Sequence, residues 1–239
     1  MKLLHVPLLV VAMLMASLVF ADDEKKSDKK DKQDKQDKID PQTQKLRDEF
    51  GMARLIFLRQ ATKDAEFEAS IRDALVKVCD DSRDDIVAAV DQEKFQPGDD
   101  DDRKQAVADI AQKFSDNAAS VTKHDRAIEK AISTQIARLT YELELIRKGQ
   151  LVEKMNDLDL TEEQKAAIEQ ITADAKKKVK GKSADEVMKD EQAMKTLLDA
   201  RKKVREKLAD DQKDQWKAYV NENATKSSKS QRGELAPKQ

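Results

Sequence analysis

The residues able to do chemistry are few and poorly grouped. Asp99–Asp102 offer four consecutive carboxylates, the oxygen donors a hard divalent cation prefers. Consecutive side chains on a helix or turn point in different directions, however, and calcium loops alternate their ligands. Four aspartates opening a helix are explained more simply by the positive end of its dipole. Cys79, the one cysteine, cannot form an intramolecular disulfide and would need exposure to bridge two chains, and with a single mature histidine no Cys-His dyad is expected. His124 is the one histidine left once the leader containing His5 is removed, and it falls at the edge of an apolar stripe rather than near Cys79 in sequence. There is no second imidazole for a zinc cluster and no Gly-rich loop to cradle phosphate. Lys176, Lys177, Lys178, Lys180 and Lys182 crowd one helix end, where they either attract a polyanion or complement the negative end of the dipole. No aromatic residues interleave with them to stack on bases, and the dipole reading is favoured. No catalytic residue, cofactor-binding residue or metal ligand is expected, and so no enzyme.

The elements carrying these residues are helical. Charged residues make up 39% of the chain and aromatics 4%, with 5 Gly and 4 Pro in 239 positions. With apolar residues recurring at three- and four-residue spacing, that composition predicts long amphipathic helices and no sheet. Asp40-Pro41 opens the first, a cap followed by Pro at the first helical position. Leu46, Phe50, Ala53, Phe57 and Ala61 trace one face, and Leu55-Ile56-Phe57-Leu58 widens it into core. Asp64 either caps a second helix or lies inside a continuous one. Phe67, Ile71, Leu75, Cys79, Ile86 and Val90 continue the stripe until Pro97-Gly98 breaks it, making Cys79 a buried thiol. A third stripe runs from Val107 through Phe114, Ile128 and Leu139 to Ile146, stopping at Gly149. Unbroken, it would span roughly 48 residues and about 70 Å; Thr122 or Asp125 would cap the second half if it breaks.

The C-terminal part carries a repeated phrase. Leu160-Thr161-Glu162-Glu163-Gln164 is a capping box: Thr161 accepts from the helix, and Gln164 reaches back to the Thr161 N–H. Leu208-Ala209-Asp210-Asp211-Gln212 repeats it with Ala in place of the hydroxyl residue, so the reciprocal cap is broken and the phrase can lie within a continuous helix. Ser183-Ala184-Asp185-Glu186 is a further box, predicting a helix with Val187, Met194, Leu197, Val204, Leu208, Trp216 and Tyr219 on one side. Arg201 falls in that seam, its stem packed and its head expected in water. Trp216 is expected to anchor the core.

The paired phrase resembles the LTXXQ motif of the Spy/CpxP-like periplasmic proteins, over roughly 158–223. The resemblance implies a helical hairpin within a small, often dimeric, cradle-shaped protein that binds unfolded clients or damps envelope-stress signalling. Leu160, Thr161, Gln164, Leu208 and Gln212 would then be structural, holding hairpin ends rather than touching clients.

The organisation expected is a signal peptide over 1–21, a disordered charged linker over 22–40, a long-helix region over 41–150, the hairpin over 151–223 and a disordered tail over 224–239. Lys2 and the apolar run Leu3–Phe20 suit a signal peptide cleaved after Ala21, the alternative being an uncleaved anchor. The linker has eight acids and seven lysines and, Ile39 apart, nothing to bury. Losing Lys2 with the leader, while no acid is lost, moves the net charge from −2 to −3, unlike a nucleic-acid binder. The fold expected is all-α, with roughly four to six helices in elongated hairpins or a coiled-coil-like bundle, dimerising to complete narrow seams. The function expected is that of an exported periplasmic or secreted protein binding unfolded or partner proteins without ATP, metal or nucleic acid, touching membrane only if the leader stays. A passive coiled-coil scaffold is the alternative.

Overall fold

The computed structural model of the chain describes residues 39–91 and 100–234. The leader with its cleavage point after Ala21, most of the 22–40 linker, Pro97-Gly98, Asp99 and the chain beyond Glu234 lie outside the described residues. Of what is described, 85% is helical, in ten α-helices with no strand, so the chain is all-α as its periodicity predicts. In order these are α1 (Pro41–Glu49), α2 (Met52–Asp64), α3 (Ala69–Asp91), α4 (Asp100–Thr122), α5 (Arg126–Lys148), α6 (Leu151–Lys154), α7 (Glu162–Lys178), α8 (Ala184–Val187), α9 (Glu191–Lys207) and α10 (Asp210–Glu234).

There are more helices than the apolar stripes suggest because local signals cut them. At the start, Asp40 Oδ1 accepts from the N–H groups of Gln42 and Thr43 at 3.0 Å each, with Pro41 leading the helix. Gly51 then takes φ +83°, a left-handed conformation that a residue with a Cβ adopts at a cost, and splits the first stripe into α1 and α2. Asp64 caps nothing: it is the last residue of α2, and α3 begins only at Ala69. The third stripe breaks at Lys123 and His124, both at positive φ, and Asp125 caps α5 by accepting from the Ala127 N–H at 2.7 Å. The Ser183 box closes only the single turn of α8; Asp190, accepting from Ala193 N–H at 2.8 Å, starts the long helix α9. The final helix continues to Glu234, past Asn223, where polarity alone predicts fraying.

Two cores result. One joins Phe50, Met52, Leu55 and Leu58 to Leu75, Cys79 and Ile86 of α3 and Phe114 of α4. The other joins Ala53, Phe57 and Ala61 to Leu139, Leu143 and Ile146 of α5, Ile168 of α7, Met194 and Leu197 of α9, and Trp216 of α10. Helix α2 is therefore covered on opposite sides, the arrangement expected of a helix that is apolar nearly all round. Helix α5 passes from one core to the other, with Ile128 in the first and Leu139 in the second, while Ile136 touches both.

A second tie links the chain's beginning to its end. The Glu191 N–H at the start of α9 donates to Asp48 Oδ1 of α1 at 3.0 Å. The Glu191 carboxylate, 1% exposed, pairs with Arg47 Nε at 3.1 Å and Lys195 Nζ at 2.5 Å. Burial of Asp48 raises its carboxyl pKa, against the lowering effect of the Glu191 N–H and Gln44.

Candidate functional site

The two copies of the repeated phrase meet. Gln164 Oε1 accepts from Thr161 N–H at 2.9 Å, and Gln212 Oε1 accepts from Ala209 N–H at 2.9 Å. Thr161 Oγ1 closes the first box by accepting from the Gln164 N–H at 3.1 Å. Each glutamine amide then crosses to the other copy. Gln164 Nε2 donates to Lys207 O at 2.8 Å and to Gln212 Oε1 at 2.9 Å, and Gln212 Nε2 donates to Leu158 O at 3.2 Å. Leu160 and Leu208 are buried beneath this clasp. The second phrase is thus a turn and not helix interior: Leu208 is extended at ψ 140°, and Gln212 alone maintains half the box that Ala209 cannot. Sequence spacing found the five residues; the crossing of the amides has no local signal.

Next to the clasp lies a buried charge centre. Helix α5 presents Gln135, Arg138 and Glu142 at successive turns of one face, α9 presents Arg201 and Arg205, and α10 presents Trp216. Glu142, 2% exposed, accepts from Arg201 Nε at 2.5 Å, Arg205 Nη2 at 3.1 Å and Trp216 Nε1 at 2.8 Å. Arg201 Nη2 lies 2.7 Å from Asp64 Oδ2. Burial pushes the Glu142 carboxyl pKa up, but the fields of Arg201 and Arg205 and the hydrogen bonds from Arg201 and Trp216 outweigh it and hold the pKa below the ordinary range. The expectation that the Arg201 head reaches water is therefore corrected. It is 5% exposed because Glu142 and Asp64 compensate its charge inside the protein. Trp216 is an anchor as expected, stacked on Tyr219 with ring centroids 5.3 Å apart, but its indole N–H also holds Glu142.

Above this centre opens a cleft of about 220 Å³. It is lined from α5 by Gln135, Arg138 and Glu142, from α9 by Arg205 and from α10 by Lys213, Asp214, Trp216, Lys217 and Val220, with Asp64, Glu66 and Leu208 beside them. Glu66 at the mouth is ion-paired with Lys217. The hydrogen bond and charge of Lys217, with a further contribution from Arg138, hold the Glu66 pKa below normal. Arg138 donates to Gln135 Oε1 at 3.3 Å, while its Nε is buried without an acceptor.

The other residues singled out by type are dispersed. Cys79 is buried in the first core, where desolvation pushes its pKa up to about 12, leaving a thiol inert at neutral pH. His124 is exposed in the turn before α5. Lys176, Lys177 and Lys178 occupy the last turn of α7, and the Lys176 stem lies over Gly149, where an added Cβ would meet its Cδ at 2.9 Å. Lys182 pairs with Asp190. Asp101 is exposed, 3.8 Å from Lys104. Among the described residues no group of three or more His, Cys, Asp or Glu is placed to hold a metal ion, and no helix is long and apolar enough to cross a membrane.

No protein-family model, curated protein or solved structure matches the chain.

Proposed function

We propose that the chain is an exported protein of the envelope, periplasmic or secreted, that binds unfolded or partner proteins without ATP, in the manner of the Spy/CpxP-like proteins it resembles. The observation carrying this reading is the reciprocal Gln164–Gln212 clasp. It gives both LTXXQ-like phrases one mechanical role, closing a hairpin at the two ends where the resemblance requires it. The mode of binding is polar. The large apolar side chains of the described residues are turned into two cores, with Ile39 the exposed exception among them. Charged helix faces and the cleft are left to meet a partner, which favours a stress-adaptor role over a permanent apolar cradle.

The second reading is a self-associating scaffold. It draws on α4, which packs chiefly on α3 and leaves Val107, Ile110 and Val121 only partly buried where they pack on the first core. Pairing of two such helices would supply the homodimer that narrow seams favour.

The test mixes the mature protein, from Asp22, with a reduced or heat-unfolded model client and follows light scattering. Suppression of aggregation at near-stoichiometric ratio without nucleotide is expected. No suppression, together with an extended dimer in sedimentation, would replace the first reading by the second.

A further inference from the structure

We infer that the chain forms a domain-swapped dimer, in which the turn at 123–125 straightens, α4 and α5 become one helix, and α1–α4 dock on α5–α10 of a second copy. The inference stands whether or not the protein captures clients, and it differs from pairing through the surface of α4. The turn itself supplies the first observation. Lys123 and His124 take φ +50° and +58°, the left-handed region in which a Cβ crowds the backbone. Elsewhere among the described residues that conformation falls on single positions, Gly51, Gly149, Gly181 and Asp159; here two neighbouring residues with side chains hold it. No Gly or Pro lies between Asp100 and Lys148, so the sequence contains no helix breaker at this point.

The apolar stripe also keeps its phase across the break. Phe114 and Val121 lead up to the polar turn, and Ile128, Ile132 and Ile136 resume seven residues after Val121, two helical turns on. A helix that starts afresh after a turn has no need to share phase with the one before it; two halves of a helix that can be continuous do. The turn is held only by local bonds. Residues 123–127 are exposed, Asp125 Oδ1 accepts from the Ala127 N–H at 2.7 Å, and Thr122 Oγ1 accepts from the His124 N–H at 3.4 Å. Because α4 packs chiefly on α3, it would travel with α3 in the exchange and keep that partner. The interface that the exchange re-forms is extensive: α2 lies on α5 and α9, the Glu191 N–H meets Asp48, Arg201 meets Asp64, and Lys217 meets Glu66. Each of these contacts would be made again between copies. Relief of strain at two hinges then favours the dimer, and the Asp125 cap favours the monomer.

Exchange requires the two units to part, so the dimer forms on folding and persists on dilution, unlike a surface-paired one. In the test, an equal mixture of isotope-labelled and unlabelled full chain is unfolded in urea, refolded at low and at high protein concentration, and sized by sedimentation. A zero-length carbodiimide then couples the Glu66 carboxylate to the Lys217 amine. The dimer is expected to yield Glu66–Lys217 links that join labelled to unlabelled chains. Replacing both turn residues, Lys123→Gly with His124→Gly, relieves the strain and weakens the continuous helix, and should lower the dimer-to-monomer ratio after refolding at least about tenfold. Asp125→Ala removes the cap and suits a helix interior, and should raise that ratio at least about tenfold. A folding defect cannot shift the two variants in opposite directions. Monomer at every concentration in both wild type and Asp125→Ala would overturn the inference, as would turn variants that leave the ratio unchanged. A dimer whose links stay within single chains and which dissociates on dilution would also overturn it, and would assign surface pairing instead.

Discussion

Glu142 is the residue on which most depends. It stands on the apolar face of α5 between Leu139 and Leu143, and Arg201 stands in the apolar seam of α9. Each alone would be costly to bury; together, with Arg205, Asp64 and Trp216 completing the hydrogen bonding, they join four helices at one point. Glu142→Gln is expected to destabilise the protein by about 3 kcal/mol at pH 7, since Arg201 and Arg205 lose their buried counter-charge. The effect is pH-dependent with a definite sign. The Glu142 pKa is lower in the folded than in the unfolded chain, so its contribution is present above the ordinary carboxylate pKa and lost as pH falls through the folded value. Melting temperatures of wild type and Glu142→Gln should therefore converge on acidification. A gap that stays constant from pH 7 to pH 3 would disprove the charged role. Asp48, whose burial raises its pKa, contributes in the opposite direction in both proteins and cancels in the comparison.

At the scale of elements, chain reversals are held by side chains that reach across them. Half of the clasp was legible: Thr161 and Gln164 form the capping box their spacing predicts. The other half was not, because Ala209 removes the cap residue and only the position of Gln164 Nε2 against Lys207 O shows what replaces it. Single replacements Gln164→Ala and Gln212→Ala should each cost about 1–3 kcal/mol, as each leaves backbone groups without partners. Because each amide serves the other copy, the double variant should cost less than their sum by about 0.5–2 kcal/mol, measured by urea unfolding. Strict additivity would mean that the two turns are held independently. The break at Gly51 was hidden for a related reason: the apolar rhythm runs straight through it, and only the left-handed backbone at φ +83° marks the reversal.

For the whole molecule, the decisive feature is that α2 and α5 belong to both cores. Phe57 and Leu58 are adjacent in sequence and lie in different clusters. A chain built this way cannot lose one core without exposing the faces of α2 and α5 that line it, so unfolding should be cooperative across both. Two native probes report on the two sides, Cys79 in the first core and Trp216 in the second. Thiol labelling of Cys79 and fluorescence of Trp216 should give coincident denaturation midpoints. Separate midpoints would show that the regions before and after residue 150 fold as independent units.

Read alone, the sequence determined what depends on neighbours within a turn or two. The three–four periodicity required helices, Asp40-Pro41 and the Thr161 and Ser183 boxes set starts, Gly149 set a stop, and apolar position alone placed Cys79 and Trp216 inside. Tertiary structure decided what depends on residues far apart in the chain. It brought Glu142 to Arg201, Asp48 to the start of α9, and Gln164 to Gln212. The reason is physical: a cap or an apolar stripe is satisfied locally, whereas a buried charge or an orphaned carbonyl is satisfied only by whatever element packing delivers to it.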